Sequence, residues 1–369
     1  MKVLHIISSS GMYGAEAVII NLSRVLRAKS HSSAIGAFFN SANPSLQFHE
    51  YALKEGFESH LIECAGQMDR AVIGRIRALV ANTGADLVHA HGYKADIYAY
   101  LALRGRRIPL ISTCHTWYDT DLLVSIYGKV DRLVLRNYAQ VVAVSDEVSQ
   151  RLLKAGVRKE KIRLVRNGID LRPFGKRICT TSEQGLVVGL VGRLAWEKGV
   201  DLFLRAAARV LAEFPHTKFV VVGDGPDRKT LEQLIDELGI RANVEMLGRR
   251  EDMASVYASL DVMVSSSRQE GLPMAILEGM ASGLALVATE VGEVPKVVLD
   301  GNTGLLVPAE NVALLAQGIM ALLCDSARRA RLGVAARKLI ESEYSAERMA
   351  TDYLKVYEEA IVSVQGDAR

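Results

Sequence analysis

Short apolar runs alternate with helix-period segments along the whole chain, and that alternation leaves few folds open. Lys2–Ser8 (KVLHIIS) has the near-continuous apolar character of a strand buried on both faces. A glycine turn, Gly11–Gly14, follows it, and then Glu16–Leu26, where Val18, Ile19, Leu22, Val25 and Leu26 recur at helical spacing. Further strands are predicted at Ala34–Phe39, Asp86–Ala90, Leu110–Ser112, Gln140–Val144 and Ile162–Val165. A second series opens at Leu186–Val191 and continues through Lys218–Val222, Val244–Leu247, Val262–Ser265, Leu286–Ala288 and Gly304–Val307. Strands separated by helices of about 10–15 residues give parallel sheets covered by helices on both faces, joined by right-handed crossovers.

The two series are separated by Phe174–Gln184, a polar stretch without a strong period. The expected architecture is therefore α/β, with two doubly wound, Rossmann-like domains facing each other across a cleft. The first spans residues 1–177 and the second 178–345. Residues 346–369 form an amphipathic helix, with Met349, Tyr353, Tyr357, Ala360, Ile361 and Val364 on one face, that packs back across the junction. Open parallel sheets bind ligands beyond the carboxyl ends of their strands, so the cleft is the expected ligand site.

Composition narrows the class. No window approaches the ~18–20 apolar residues of a membrane-spanning helix, and the N-terminal stretch lacks a signal peptide's apolar core. Four widely spaced cysteines offer neither a zinc motif nor a disulfide framework, which points to a reducing cytoplasm. Residues 1–177 carry 25 Lys and Arg against 15 Asp and Glu, whereas residues 178–369 carry 20 against 27. A basic half suggests an anionic partner, which includes an anionic membrane surface on which the protein would sit peripherally. The candidate patch contains Arg104, Arg106 and Arg107, with Arg151, Lys154, Arg158, Lys159 and Lys161 further on.

Three glycine turns follow predicted strands. Gly11-Met12-Tyr13-Gly14-Ala15-Glu16 opens a helix and offers backbone N–H groups to an anion. Gly192-Arg193-Leu194-Ala195-Trp196-Glu197-Lys198-Gly199 sets a planar cationic fork and a mobile point charge together, as a pyrophosphate requires. Gly223-Asp224-Gly225-Pro226 permits close approach of a ligand, although hairpin-like turns use the same letters. The segment from Ser267 to Glu278 (SRQEGLPMAILE) is the most specific. Pro273 suits the first turn of a helix, Glu270 lies in the loop before it and Glu278 inside it, so the two carboxylates would meet different hydroxyls of one extended ligand. His89, His91 and His115 stand at the ends of neighbouring strands, where they would face the cleft. Asp119-Thr120-Asp121 has no nearby third ligand and is read as a solvated loop, with no metal predicted.

Together these residues make the chain resemble a family 4 glycosyltransferase of the retaining GT-B class over essentially its full length. Glu270 and Glu278 match the family's E-x7-E motif, while Gly192-Arg193, Lys198-Gly199, the Gly223 turn and Arg166-Asn167-Gly168-Ile169-Asp170 match in order. The resemblance implies that Glu270 reaches the sugar of a nucleotide-sugar donor and that Glu278 holds the ribose hydroxyls. Arg193 and Lys198 would bind the diphosphate, Gly14 would add a backbone N–H, and His115 would lie close to the reacting sugar. Gly223, Gly271, Leu272, Pro273 and Met274 would complete the donor site. It further implies an acceptor hydroxyl on a glycan, a lipid-linked glycan or a small molecule, with no cofactor, no metal and no nucleic acid. Two departures stand out: Tyr13 replaces a usual glycine, and Lys296 occupies a position where a glutamate is frequent. A nucleotide-sugar epimerase of the same architecture, or an inactive nucleotide-sugar-binding protein, would share most of these residues. A nicotinamide dehydrogenase would not, because neither half has GxGxxG followed by an acidic residue about 20 positions on.

Overall fold

A computed structural model describes residues 1–9, 11, 14–40, 45–66, 69–115, 122–175 and 185–366. Tyr13, Cys179 and the Asp119–Asp121 loop lie outside the described residues. Seven parallel strands form the first sheet: β1 (Lys2–Ile7), β2 (Ser32–Phe39), β3 (Glu58–Glu63), β4 (Leu87–His91), β5 (Leu110–Cys114), β6 (Gln140–Ala143) and β7 (Ile162–Leu164). Six form the second: β8 (Val187–Val191), β9 (Lys218–Val222), β10 (Val244–Gly248), β11 (Val262–Ser265), β12 (Ala285–Thr289) and β13 (Leu305–Val307). The orders are β3-β2-β1-β4-β5-β6-β7 and β10-β9-β8-β11-β12-β13, with every recorded pairing parallel. Strand order reverses between β1 and β4 and again between β8 and β11, which makes those strand ends the ligand-binding positions of each sheet.

Central strands such as β1 and β4 are buried almost throughout, although His5, His89 and His91 interrupt their apolar runs. β3 carries no such signal. It is an edge strand whose only buried residue is Ile62, and its Glu-Ser-His-Leu-Ile-Glu sequence reflects that one-sided exposure.

The chain divides into two compact units, Met1–Gly168 with the C-terminal segment from Ala346, and Ile169–Ser345. The first crossing therefore comes at Gly168/Ile169 and not at 177/178. Ile169 and Phe174 belong to the apolar core of the second unit, alongside Tyr257 and Ile276, and the Ile169 N–H donates to the Tyr344 carbonyl at 2.9 Å. The helix Ala346–Gly366 packs on the first unit: Met349, Tyr353, Tyr357 and Ala360 share a core with Val3, Leu22, Leu87 and Ile111. The Met349 Sδ accepts from the Gly168 N–H. Counted by unit, the first holds 25 Lys and Arg against 19 Asp and Glu, and the second 20 against 23. The charge asymmetry keeps its sign but shrinks, because Arg172, Lys176 and Arg177 move to the second unit and the terminal segment brings acidic residues to the first.

Candidate active site

In the second unit the site is built where β8 and β11 end. The turn after β8 is pinned from two sides. Gly223, at φ +139°, lies so close to it that a Cβ there would stand 1.8 Å from the Gly192 carbonyl oxygen. Gly199, at φ +59°, leaves no room either, since a Cβ would meet the Ser266 carbonyl oxygen at 2.1 Å. Both positions need a residue without a side chain. So held, the single 3-10 turn Trp196–Lys198 carries the Lys198 ammonium to the Glu270 carboxylate, Nζ to Oε1 2.5 Å. Ser267 Oγ donates to the same oxygen at 2.8 Å, which leaves Oε2 as the remaining acceptor. Glu270 is nearly buried, with 8% of its side chain exposed, so this ion pair is largely shielded from solvent.

Arg268, two residues before Glu270, fastens the two turns together. Its guanidinium makes a two-pronged contact with Asp201 at 2.7 and 2.8 Å, pairs with Glu310 and donates to the Trp196 carbonyl at 3.0 Å. The hydrogen bond to Asp201, with further help from Glu310, holds its charge more firmly than usual. Sequence reasoning missed Arg268, because its partners are 67 and 42 residues away in the chain. Arg193 is exposed and, among the described residues, forms no ion pair.

The helix Met274–Ala281 follows the Glu270 loop. Pro273 stands just before it with extended backbone (φ −73°, ψ 131°), one position earlier than expected, and Leu272 and Met274 pack against the core. The loop is tied to the next turn by the Glu293 N–H, which donates to the Gly271 carbonyl at 3.3 Å; Lys296 pairs with Glu293 at 2.9 Å. The first N–H groups of such a helix have no intrahelical acceptor. Glu278 accepts a hydrogen bond from Tyr257 at 2.8 Å. Burial pushes its pKa up to about 7, and the Tyr257 hydrogen bond only partly opposes that. Tyr257, from the helix Met253–Ser259, carried no sequence signal. Arg193, Lys198, Gly223, Glu270, Gly271, Leu272, Pro273, Met274 and Glu278 thus all belong to the second unit.

Gly14 and His115 belong to the first unit. Gly14 is the first residue of the helix Gly14–Ala28, which follows β1, and His115 directly follows β5. His89 and His91, expected to face the cleft, are buried in the first unit at 0% and 3% exposure. They join His5, which the sequence reading passed over: β1 and β4 pair with His5 opposite His89. His5, His89 and His91 offer ring nitrogens within 4.8 Å of one another, but those of His89 and His91 are engaged in hydrogen bonds to protein partners.

Residues 12–172 match the family described as Glycosyltransferase Family 4, and residues 176–339 match Glycosyl transferases group 1. Over 296 residues the chain is 30% identical to the alpha-D-kanosaminyltransferase of Streptomyces kanamyceticus, covering 74% of this chain and 77% of that one. The chain belongs to glycosyltransferase family 4. A second family 4 relative, the N-acetyl-alpha-D-glucosaminyl L-malate synthase of Bacillus anthracis, is 26% identical, with 95% of this chain and 94% of that protein covered. The fold is that of Anabaena Alr3699/HepE, solved in complex with UDP, with a TM-score of 0.83, 22% identity and coverage of 97% of this chain and 100% of that one. The GT-B architecture and a hexosyltransferase-type activity follow from membership of the family.

Proposed function

We propose that this family 4 enzyme moves a sugar, with retention of configuration, from a UDP-sugar to the hydroxyl of an anionic acceptor and needs no metal ion. The Lys198–Glu270 pair carries this reading, because it sets a mobile cation and a sugar-binding carboxylate side by side. As the donor's glycosidic bond breaks, negative charge grows on the leaving diphosphate. Arg193, Lys198 and the N–H groups at the start of the Met274 helix supply positive charge and dipoles to stabilise it. Glu278 is committed to Tyr257, and Glu270 serves the sugar as a hydrogen-bond acceptor through Oε2. The departing phosphate then takes the acceptor's proton on the same face. The net positive first unit suits an anionic acceptor, in keeping with the L-malate in the name of the Bacillus relative.

Incubation with UDP-glucose, UDP-N-acetylglucosamine and GDP-mannose, each with an alcohol panel that includes hydroxy acids, tests the assignment. UDP release should require an acceptor and persist in EDTA, and NMR of the product should show the donor's anomeric configuration. Inversion of configuration, or activity abolished by EDTA and restored by a divalent ion, overturns it.

Arg193→Ala and Lys198→Ala are each expected to weaken UDP binding by about 1.5–3 kcal/mol, the worth of one charge-assisted contact. Isothermal titration reads this directly. The larger effect belongs to Lys198→Ala, which also leaves the Glu270 carboxylate without its cation.

No helix among the described residues is long and apolar enough to cross a membrane. Arg104, Arg106 and Arg107 are exposed beside the exposed Leu101, and this cluster would rest on an anionic bilayer at the cytoplasmic face. Lys161 keeps its charge, but its ammonium is tethered by the Arg136 and Tyr138 carbonyls. Each free cation near such a surface adds about 1 kcal/mol, screened over roughly 8–10 Å. Co-sedimentation with vesicles should require anionic lipid, fall with salt and weaken when Arg104, Arg106 and Arg107 are neutralised. No binding at low salt would favour a freely soluble acceptor.

A further inference from the structure

His5, His91 and His115 form a row on one face of the first sheet. Below them on that face stand Val3, Leu87 and Ile111, so towards the strands' carboxyl ends an apolar layer gives way to imidazoles. His5 Nδ1 lies 3.1 Å from His91 Nε2, and His91 Nδ1 lies 3.1 Å from His115 Nε2. His91 therefore spends both ring nitrogens inside the row. His89 stands beside it: Tyr357 OH is 2.8 Å from one nitrogen and Thr113 Oγ1 is 2.7 Å from the other, and the His89 ring centre is 4.1 Å from that of His91. At the inner end, His5 Nε2 is buried without a hydrogen-bond partner among the described residues.

A neutral imidazole has one N–H and one lone pair, so in such a row one tautomer dictates the next. If His5 carried its proton on Nε2, a buried N–H would point at nothing, which is among the costlier defects of a folded interior. With the proton on Nδ1, His5 donates to His91 Nε2, His91 donates from Nδ1 to His115 Nε2, and only a lone pair is left unmatched. His115 then holds its proton on Nδ1.

We propose that His5 and His91 are positioning residues that hold His115 as its Nδ1–H tautomer, so that it offers the reacting sugar nucleotide a hydrogen-bond donor and not an acceptor. This rests on the proposed sugar transfer and on the place beside the sugar that the family resemblance implies for His115. Burial keeps the row neutral, lowering the pKa of His5 to about 3 and of His115 to about 4. A metal ion on His5, His89 and His91 is the competing occupant, but it would have to displace hydrogen bonds that His89 and His91 already make.

Long-range 1H–15N correlation spectra of the full chain labelled with 15N-histidine read each tautomer directly, without relying on any variant. His5, His91 and His115 should all appear neutral and protonated on Nδ1. In kinetics with UDP-glucose, His5→Leu should lower kcat at least about tenfold, since a catalytic histidine held in the wrong tautomer is severely impaired. Its KM should stay within about twofold, because the sugar nucleotide does not touch His5. His5→Asn, whose amide N–H can replace Nδ1–H, should recover most of that loss. A proton on Nε2 of His115 in the wild-type spectrum, equal losses in His5→Leu and His5→Asn, or an equimolar bound metal would overturn the inference. Unchanged kcat in His115→Ala would instead overturn the role of His115 itself. Loss of kcat in that variant beside an Nε2–H wild-type spectrum would overturn the positioning alone.

Discussion

Glu270→Gln is expected to lower kcat about 10²–10³-fold while changing the KM for the sugar nucleotide by less than about threefold, the pattern for an interaction that strengthens at the transition state. Glu270 is held nearly buried by Lys198 and Ser267, both on Oε1. In the function proposed above, its other oxygen meets the donor sugar, the part whose geometry changes in the reaction. The glutamine has nearly the same shape and keeps a partner for Ser267, so the loss reports charge and not collapse. Lys198→Ala should act mainly on nucleotide binding. The double variant should lose less than the two single effects combined, since the partners share one ion pair. Steady-state kinetics on the three variants decide the matter; equal effects on KM and kcat in both single variants would remove the division of roles.

Glu278 should make both folding stability and donor binding depend on pH. Its pKa is raised from 4.5 to about 7 by burial. Below about 4.5 the carboxyl is protonated in both the folded and the unfolded chain, and it costs nothing. As pH rises to 7, the unfolded chain ionises first and the folded chain loses stability. The loss reaches about 3 kcal/mol at most by pH 8, at 1.36 kcal/mol per unit of pKa difference. Glu278→Gln removes this titration. Its stability relative to the wild type should therefore improve steadily from pH 4 to pH 8 in chemical denaturation, whatever the fixed cost of burying an amide beside Tyr257. Donor binding runs the opposite way. In the ribose-holding role that the family resemblance implies for Glu278, hydroxyls are bound best by the ionised carboxylate, so the wild-type KM for the sugar nucleotide should rise as pH falls below 7. In Glu278→Gln it should be high at every pH. A flat wild-type profile between pH 5 and 8 would show that Glu278 does not hold the hydroxyls.

The fold was legible because parallel sheets covered on both faces demand largely apolar strands, and β1, β8 and β12 display them. The edge strand β3 was not, since its one-sided burial leaves a polar sequence with no clean period. The carboxylates and cations of the candidate site stood out in the sequence because they cluster within short segments around Arg193 and Glu270. Several things depended on tertiary structure. The first unit boundary at Gly168 is set by the core that Ile169 and Phe174 join. The Arg268–Asp201 anchor, the Tyr257–Glu278 bond and the His5–His91–His115 row all join residues more than twenty positions apart. Local sequence dictates which residues face a sheet or a helix stripe. It does not carry strand order or register, and strand register is what brings His5 opposite His89.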